Sequence, residues 1–294
     1  MTERCLIVRP RLVELMAARW SRRLVVVVAG PGFGKSVLLA QAAAENDLAP
    51  RGVDVMVRCT DADAAPGHLV RRIAEAIGLP TEPDRATVSS ERLFAELSRR
   101  WPLGVCVMVD DAHLATSTGE GAQLLAQVIT EAPLSVHFVL ACRRRPRGLA
   151  GLRAAGEVVE IDESALALDP HELDEFAGRH RVDGTSLAHL GGWPAAVSLA
   201  ATYGLVGATE YVWESVLDQL STEERRVLEV AAAIGGGDAA LVRTAVGDVG
   251  IDPIAVLAGL PLVHLSLVAA SLSSMTSGTA SSLAAFPLWN CAAQ

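Results

Sequence analysis

Residues 24–36 read LVVVVAGPGFGKS, and the fold is decided here. The run 24–29 (LVVVVA) is continuously apolar and rich in β-branched side chains, the pattern of a strand buried on both faces of a parallel sheet. Gly30, Gly32 and Gly34 follow. Glycine at alternate positions lets the chain present successive backbone N–H groups inward as an anion nest. Residues 35–45 carry a helical pattern, and a helix N-terminus adds partial positive charge beside such a nest. Residues 29–36 (AGPGFGKS) fit the phosphate-loop pattern G-x-x-x-x-G-K-[ST], except that Ala29 stands in the first glycine position. Alanine is compatible with a strand exit provided φ stays negative.

In this reading the loop Ala29, Gly30, Pro31, Gly32, Phe33 and Gly34 cradles the phosphates of ATP or ADP. Lys35 reaches the β- and γ-phosphates, and Ser36 sets its hydroxyl on Mg²⁺. A glycine-rich turn without a ligand is the bland alternative. Composition sharpens the choice. Lys and Arg together number 25, yet Lys35 is the single lysine. It stands where a compact ammonium on a flexible stem is the chemical requirement.

The 294 residues suffice for about two domains, and a hydrophobic content of 51% excludes a disordered chain. A net charge of -9 argues against a surface built throughout to grip nucleic acid. The first twenty positions scatter arginines among apolar residues and carry no secretory signal. Five widely spaced cysteines form no C-x-x-C pair, which fits a reducing cytoplasm and suggests neither a zinc site nor a disulfide framework.

A triphosphate site also needs a carboxylate at the end of a neighbouring strand. Residues 104–113 (GVCVMVDDAH) supply an apolar strand ending in Asp110 and Asp111. Asp110 is the expected Mg²⁺-associated acid, and Asp111 the general base that polarises water. A buried strand with an Asp-Asp turn is the plain alternative. A third strand, 135–143 (SVHFVLACR), ends in Arg143, a candidate γ-phosphate sensor. The adjoining Arg144, Arg145, Pro146 and Arg147 read as a solvated loop rather than a nucleic-acid patch.

Further segments keep the same order: 9–16 (RPRLVELM), 57–66 (VRCTDADAAP), 151–176 (GLRAAGEVVEIDESALALDPHELDEF) and 189–200 (HLGGWPAAVSLA). With the loop, VDDAH and LACR, they resemble the signal-transduction ATPases with numerous domains. More narrowly they resemble the MalT-like ATPase module of large LuxR-family transcriptional regulators, over roughly residues 7–265. The resemblance implies that Arg9 and Pro10 pack by the adenine and that Pro194, in Gly192-Trp193-Pro194, lies against the base. By its residues alone, Pro194 is equally a good first residue of a helix.

The expected architecture is α/β: a P-loop NTPase three-layer parallel-sheet core over 1–162, a helical lid over 163–208 and a winged-helix-like domain over 209–265. Capping boxes at Asp169/Glu172 and Ser221/Glu224 open helices in the last two. Residues 253–294 contain no Asp, Glu, Lys or Arg, and 266–294 match nothing in the family. That tail is expected to be an unstructured scar of truncation or frameshift. The apolar span 254–272, broken by Pro261 and His264, is not expected to enter a membrane.

Full-length relatives carry helical-repeat sensors and a helix-turn-helix, so DNA is expected to be reached only through domains absent here. The resemblance implies an ADP-closed, ATP-open switch with weak ATPase activity and self-association on activation. A cycling AAA+ ATPase, with Arg144 or Arg153 as finger or sensor, is one alternative. A small-molecule kinase and a non-hydrolysing nucleotide-binding remnant are the others.

Overall fold

The computed structural model describes residues 7–65, 67–79, 90–100, 104–116, 119–188, 190–215, 220–234, 237–258, 263–267 and 281–285. These fall into two compact units. One comprises Val8–Ala29 and Gly34–Leu166; the other comprises Ile7, Gly30–Phe33 and the described residues from Ala167 onward.

The first unit is built on five parallel strands: β1 (Leu24–Val28), β2 (Val53–Arg58), β3 (Val105–Asp110), β4 (Val136–Cys142) and β5 (Val158–Ile161), in the order β2-β3-β4-β1-β5. Every residue of β3 is buried, as a strand covered on both faces requires. Alternate side chains supply the two faces. Leu24, Val26, Val105, Val107, Val109, Phe138 and Leu140 join one core with Ile73 of α3 (His68–Ala76), Leu97 of α4 (Ser90–Arg100) and Ile129 of α6 (Gly119–Glu131). Burying each such aliphatic side chain contributes about 1.5–3 kcal/mol. The register pairs Val28 with Cys142 and Arg58 with Asp110, so β1 to β4 end together at one carboxyl edge. Such an edge is where open α/β sheets bind ligands.

Helix α1 (Pro10–Met16) and α2 (Lys35–Leu48) are tied to β2 by Arg19. This arginine is fully buried and pairs with Asp54 at 3.1 Å. It also donates to the carbonyls of Ala42 and Met16. Cys59, Cys106 and Cys142 are buried free thiols; burial pushes those of Cys59 and Cys142 up to about 12, which leaves them inert.

In the second unit, α9 (Pro170–His180), α10 (Gly184–Ala188) and α11 (Pro194–Ser215) precede α12 (Thr222–Ala233), α13 (Ala239–Val246) and α14 (Pro253–Ala258). Both capping boxes form: Asp169 and Glu172 exchange bonds across the start of α9, as do Ser221 and Glu224 across that of α12. Val227, Leu228, Val242, Val246 and Leu257 bind α12, α13 and α14 into a small core. An antiparallel sheet ordered β6-β8-β7 joins them, from Gly237–Asp238, Ser281–Ala285 and Val263–Leu267.

Three outlines differ from the sequence expectations. The change of unit falls at Leu166/Ala167 rather than 162/163. The second difference is that 208/209 lies inside α11, whose helical geometry breaks instead at Gly204, with φ 79° and ψ 178°. Only glycine adopts that conformation cheaply, so the break follows the glycine. Third, part of the expected unstructured tail is strand, since Ser281–Ala285 pairs with β7; the rest of 268–294 lies outside the described residues. Among the described residues no helix is long and apolar enough to cross a membrane.

Candidate functional site

Strand β1 runs one bond beyond its last residue, with the Ala29 N–H donating to the Cys142 carbonyl at 3.1 Å. Among the described residues the only non-glycines with positive φ are Asp111 and Arg181, so Ala29 keeps the negative φ its side chain demands. The left-handed positions of the loop are Gly32 (φ 76°) and Gly34 (φ 82°). Alternation of right- and left-handed residues is the geometry of an anion nest.

Lys35 opens α2 and is buried, its Nζ donating to the Ala29 carbonyl at 2.8 Å. The ammonium is thereby held at the strand exit. Burial, reinforced by Arg143, lowers its pKa, while Asp111 and Asp110 oppose the shift. Asp110 ends β3, and Asp111 and Arg143 follow β3 and β4, at the sheet edge where Lys35 opens α2. Ser36 is exposed.

Asp110 closes β3, is buried, and accepts the N–H of Asp111 through Oδ1 at 3.1 Å. Asp111 is left-handed (φ 53°, ψ 33°) and caps α5 (Ala112–Ala115). A non-glycine held so costs about 1–3 kcal/mol and tends to occur at functional turns. Its Oδ2 meets Arg58 Nε at 3.3 Å, across an exposed pairing. Ser36 and Asp110 present a hydroxyl and a carboxylate, the oxygen chemistry Mg²⁺ takes when phosphates complete its shell. No group of three or more His, Cys, Asp or Glu that could hold a metal unaided occurs among the described residues.

Two site neighbours escaped sequence reasoning. Arg58 gave no signal beyond ending a short apolar run. His113 stood within VDDAH but received no role. Its pKa is lowered by burial and then by Arg143, and its buried Nδ1 has no hydrogen-bond partner among the described residues. The arginines after β4 are partly committed elsewhere, because Glu160 pairs with both Arg145 (3.0 Å) and Arg153 (2.8 Å). That pairing weakens the proposal of Arg153 as a lid sensor.

The residues expected beside the adenine do structural work as well. Arg9 is buried and donates to the Leu166 carbonyl at 2.7 Å, while Arg11 donates to that of Ala165 at 2.8 Å. The two satisfy the final carbonyls of α8 (Glu163–Leu166). Pro10 is exposed and starts α1.

Pro194 is the first residue of α11, after Gly191 (φ 60°) and Gly192 (φ 71°). The Gly192 carbonyl accepts the Leu168 N–H at 2.7 Å, and a Cβ at 192 would stand 2.5 Å from the Leu168 carbonyl oxygen. Trp193, which sequence reasoning left without a role, is wholly buried. Its Nε1 donates to the Pro31 carbonyl at 3.1 Å, and its ring stacks on Phe33 with centroids 6.0 Å apart. Ala195 N–H donates to the Gly32 carbonyl at 3.0 Å.

With lysine and carboxylates at one sheet edge, the comparisons with known proteins become informative. Residues 18–144 match the AAA domain family. The matched stretch carries β1 to β4 and the candidate site, so this part of the chain is similar to a P-loop domain of AAA type. The chain is 25% identical over 281 residues to the HTH-type transcriptional regulator MalT of Vibrio cholerae, covering 82% of this chain and 30% of that protein. It is 30% identical over 265 residues to the serine/threonine-protein kinase PknK of Mycobacterium tuberculosis, covering 77% of this chain and 24% of the kinase. The chain therefore spans less than a third of the length of either relative. Among solved structures, the Walker-type ATPase paby2304 of Pyrococcus abyssi shares the fold with a TM-score of 0.61 and 14% identity, over 95% of this chain and 94% of that one.

Proposed function

We propose that this chain is the ATPase core of a LuxR-type transcriptional regulator, a cytoplasmic switch that is closed with ADP and open with ATP. The observation that carries the reading is that Asp110, Asp111 and Arg143 stand at the carboxyl ends of β3 and β4, the edge at which left-handed Gly34 leads into Lys35 and α2. Similarity to MalT supports the regulatory context.

The loop's N–H groups and Lys35 bind the phosphates. Ser36 and Asp110 would hold Mg²⁺, which would supply charge neutralisation for the phosphates. Asp111 orients the attacking water, Arg143 contacts the γ-phosphate, and Arg9, Pro10 and Pro194 lie beside the base. Hydrolysis is slow, because Asp111 shares its carboxylate with Arg58. Residues 209–265 form a winged-helix-like clamp rather than a DNA reader, and DNA is bound through other domains. Activation brings self-association.

The same Arg58–Asp111 pairing favours one second reading, a nucleotide-binding module without turnover. The deciding experiment quantifies nucleotide released on denaturing the gently purified protein, with Lys35→Ala alongside. Near-stoichiometric ADP, lost in the variant, is expected. Rapid multiple turnover by an initially empty protein would overturn the switch in favour of a cycling motor.

A further inference from the structure

In an anion nest the backbone N–H groups converge inward, so the carbonyls of the same peptides face outward. Outward carbonyls need partners of their own, or the loop is free to rotate its peptides away from the ligand. In this chain two of them are held by one short stretch. The Pro31 carbonyl accepts from the indole Nε1 of Trp193 at 3.1 Å, and the Gly32 carbonyl accepts from the backbone N–H of Ala195 at 3.0 Å. Phe33, the next residue, is buried with its ring on the Trp193 ring at an interplanar angle of 25°.

Trp193 is itself immobilised. It is the largest fully buried side chain among the described residues, and it sits between Gly192 and Pro194. Gly192 is pinned by the Leu168 N–H, and Pro194 fixes the first turn of α11.

We propose that Trp193 is a positioning residue for nucleotide binding: with Ala195 it holds the outward carbonyls of Pro31 and Gly32 and so sets the phosphate nest in its receptive geometry. The inference rests on the nucleotide-binding reading and adds a route for the signal. Loop tip and α11 belong to one packed unit, so a peptide that turns on phosphate binding pulls on the start of that helix. Pre-setting the nest removes an ordering cost that the ligand would otherwise bear. The indole N–H and the ring have separable roles, since a phenyl ring keeps the stack on Phe33 and loses the donor.

The test measures affinity for ADP by titration calorimetry in wild type, Trp193→Phe and Lys35→Ala, beside the thermal midpoint of each nucleotide-free protein. A ¹H–¹⁵N spectrum follows the Trp193 indole as ADP is added. Trp193→Phe is expected to weaken ADP binding of the folded protein roughly 5- to 10-fold, the scale of one hydrogen bond, and to lower the nucleotide-free midpoint because the smaller ring leaves a cavity. The wild-type indole resonance, assigned through its proximity to the Phe33 ring, is expected to shift on ADP addition. Should the variant fail to fold, that resonance alone decides the matter.

Unchanged affinity in a folded Trp193→Phe, or an indole resonance that ignores ADP, overturns the proposal while leaving nucleotide binding intact. If wild type itself takes no ADP, and so matches Lys35→Ala, it is the nucleotide-binding reading that fails.

Discussion

Gly192→Ala is expected to be among the most damaging single-methyl changes in the chain. At φ 71° an alanine pays for the left-handed conformation with about 1–2 kcal/mol. The added Cβ then meets the Leu168 carbonyl oxygen at 2.5 Å, the Leu168 nitrogen at 3.0 Å and Ala167 Cβ at 3.3 Å. Backbone, not a flexible side-chain end, is in the way. Relieving the first contact means separating the two segments by several tenths of an ångström, which stretches the 2.7 Å bond from the Leu168 N–H to the Gly192 carbonyl. Losing that bond costs about 0.5–1.5 kcal/mol, and the overpacking a further 1–3 kcal/mol. The sum is about 2.5–6.5 kcal/mol. Gly250→Ala is the matched control, because φ there is 74° and nothing lies within 4 Å of the added Cβ. It should lose about 1–2 kcal/mol only. Urea unfolding followed by circular dichroism, with protection of the α11 amides from hydrogen exchange, measures both. Equal losses in the two variants would refute the close-approach argument and leave only backbone strain.

Nucleotide affinity should depend on pH through Lys35. Burial lowers its pKa in the nucleotide-free protein below the ordinary 10.5, and bound phosphate raises it again by favouring the ammonium. Affinity is therefore full below the lowered value and falls as pH rises through it; titration with a fluorescent ADP analogue from neutral pH to 10.5 would contradict this by staying flat. Arg19→Ala should cost about 3–5 kcal/mol of stability, because it strands the Asp54 carboxylate with which Arg19 is paired. Most of that loss should return in Arg19→Met combined with Asp54→Leu, as read by thermal unfolding, whereas a loss under about 1 kcal/mol in the single variant would show the pair to be incidental.

The strands carrying the phosphate loop and the Asp pair were legible because parallel strands buried on both faces must be nearly unbroken apolar runs, as LVVVV and VCVMV are. Helix starts at Asp169 and Ser221 were legible for a different reason: a capping box is a local bargain between residues three apart. What the sequence concealed is non-local. Trp193 meets Pro31 across 162 positions, and no periodicity on either side announces the pairing. Arg19 was hidden by its own abundance, for in a chain whose basic residues are nearly all arginine a buried one looks like the solvated rest. The left-handed turn at Asp111 and its contact with Arg58 depend on where β2 and β3 end in register, which only the paired sheet fixes.

A chain with one lysine has one side-chain primary amine, and here it lies at the mouth of α2, held by the Ala29 carbonyl and depressed in pKa. Depression enlarges the uncharged, nucleophilic fraction near neutrality. Acylating agents such as succinimidyl esters thus have a single ε-amino target, and capping it removes the charge proposed to bind phosphate. Every such modification is stoichiometric with loss of the site. Mass spectrometry of the peptide that carries Lys35, read apart from the chain's α-amine, consequently counts open sites, and protection by ADP counts filled ones.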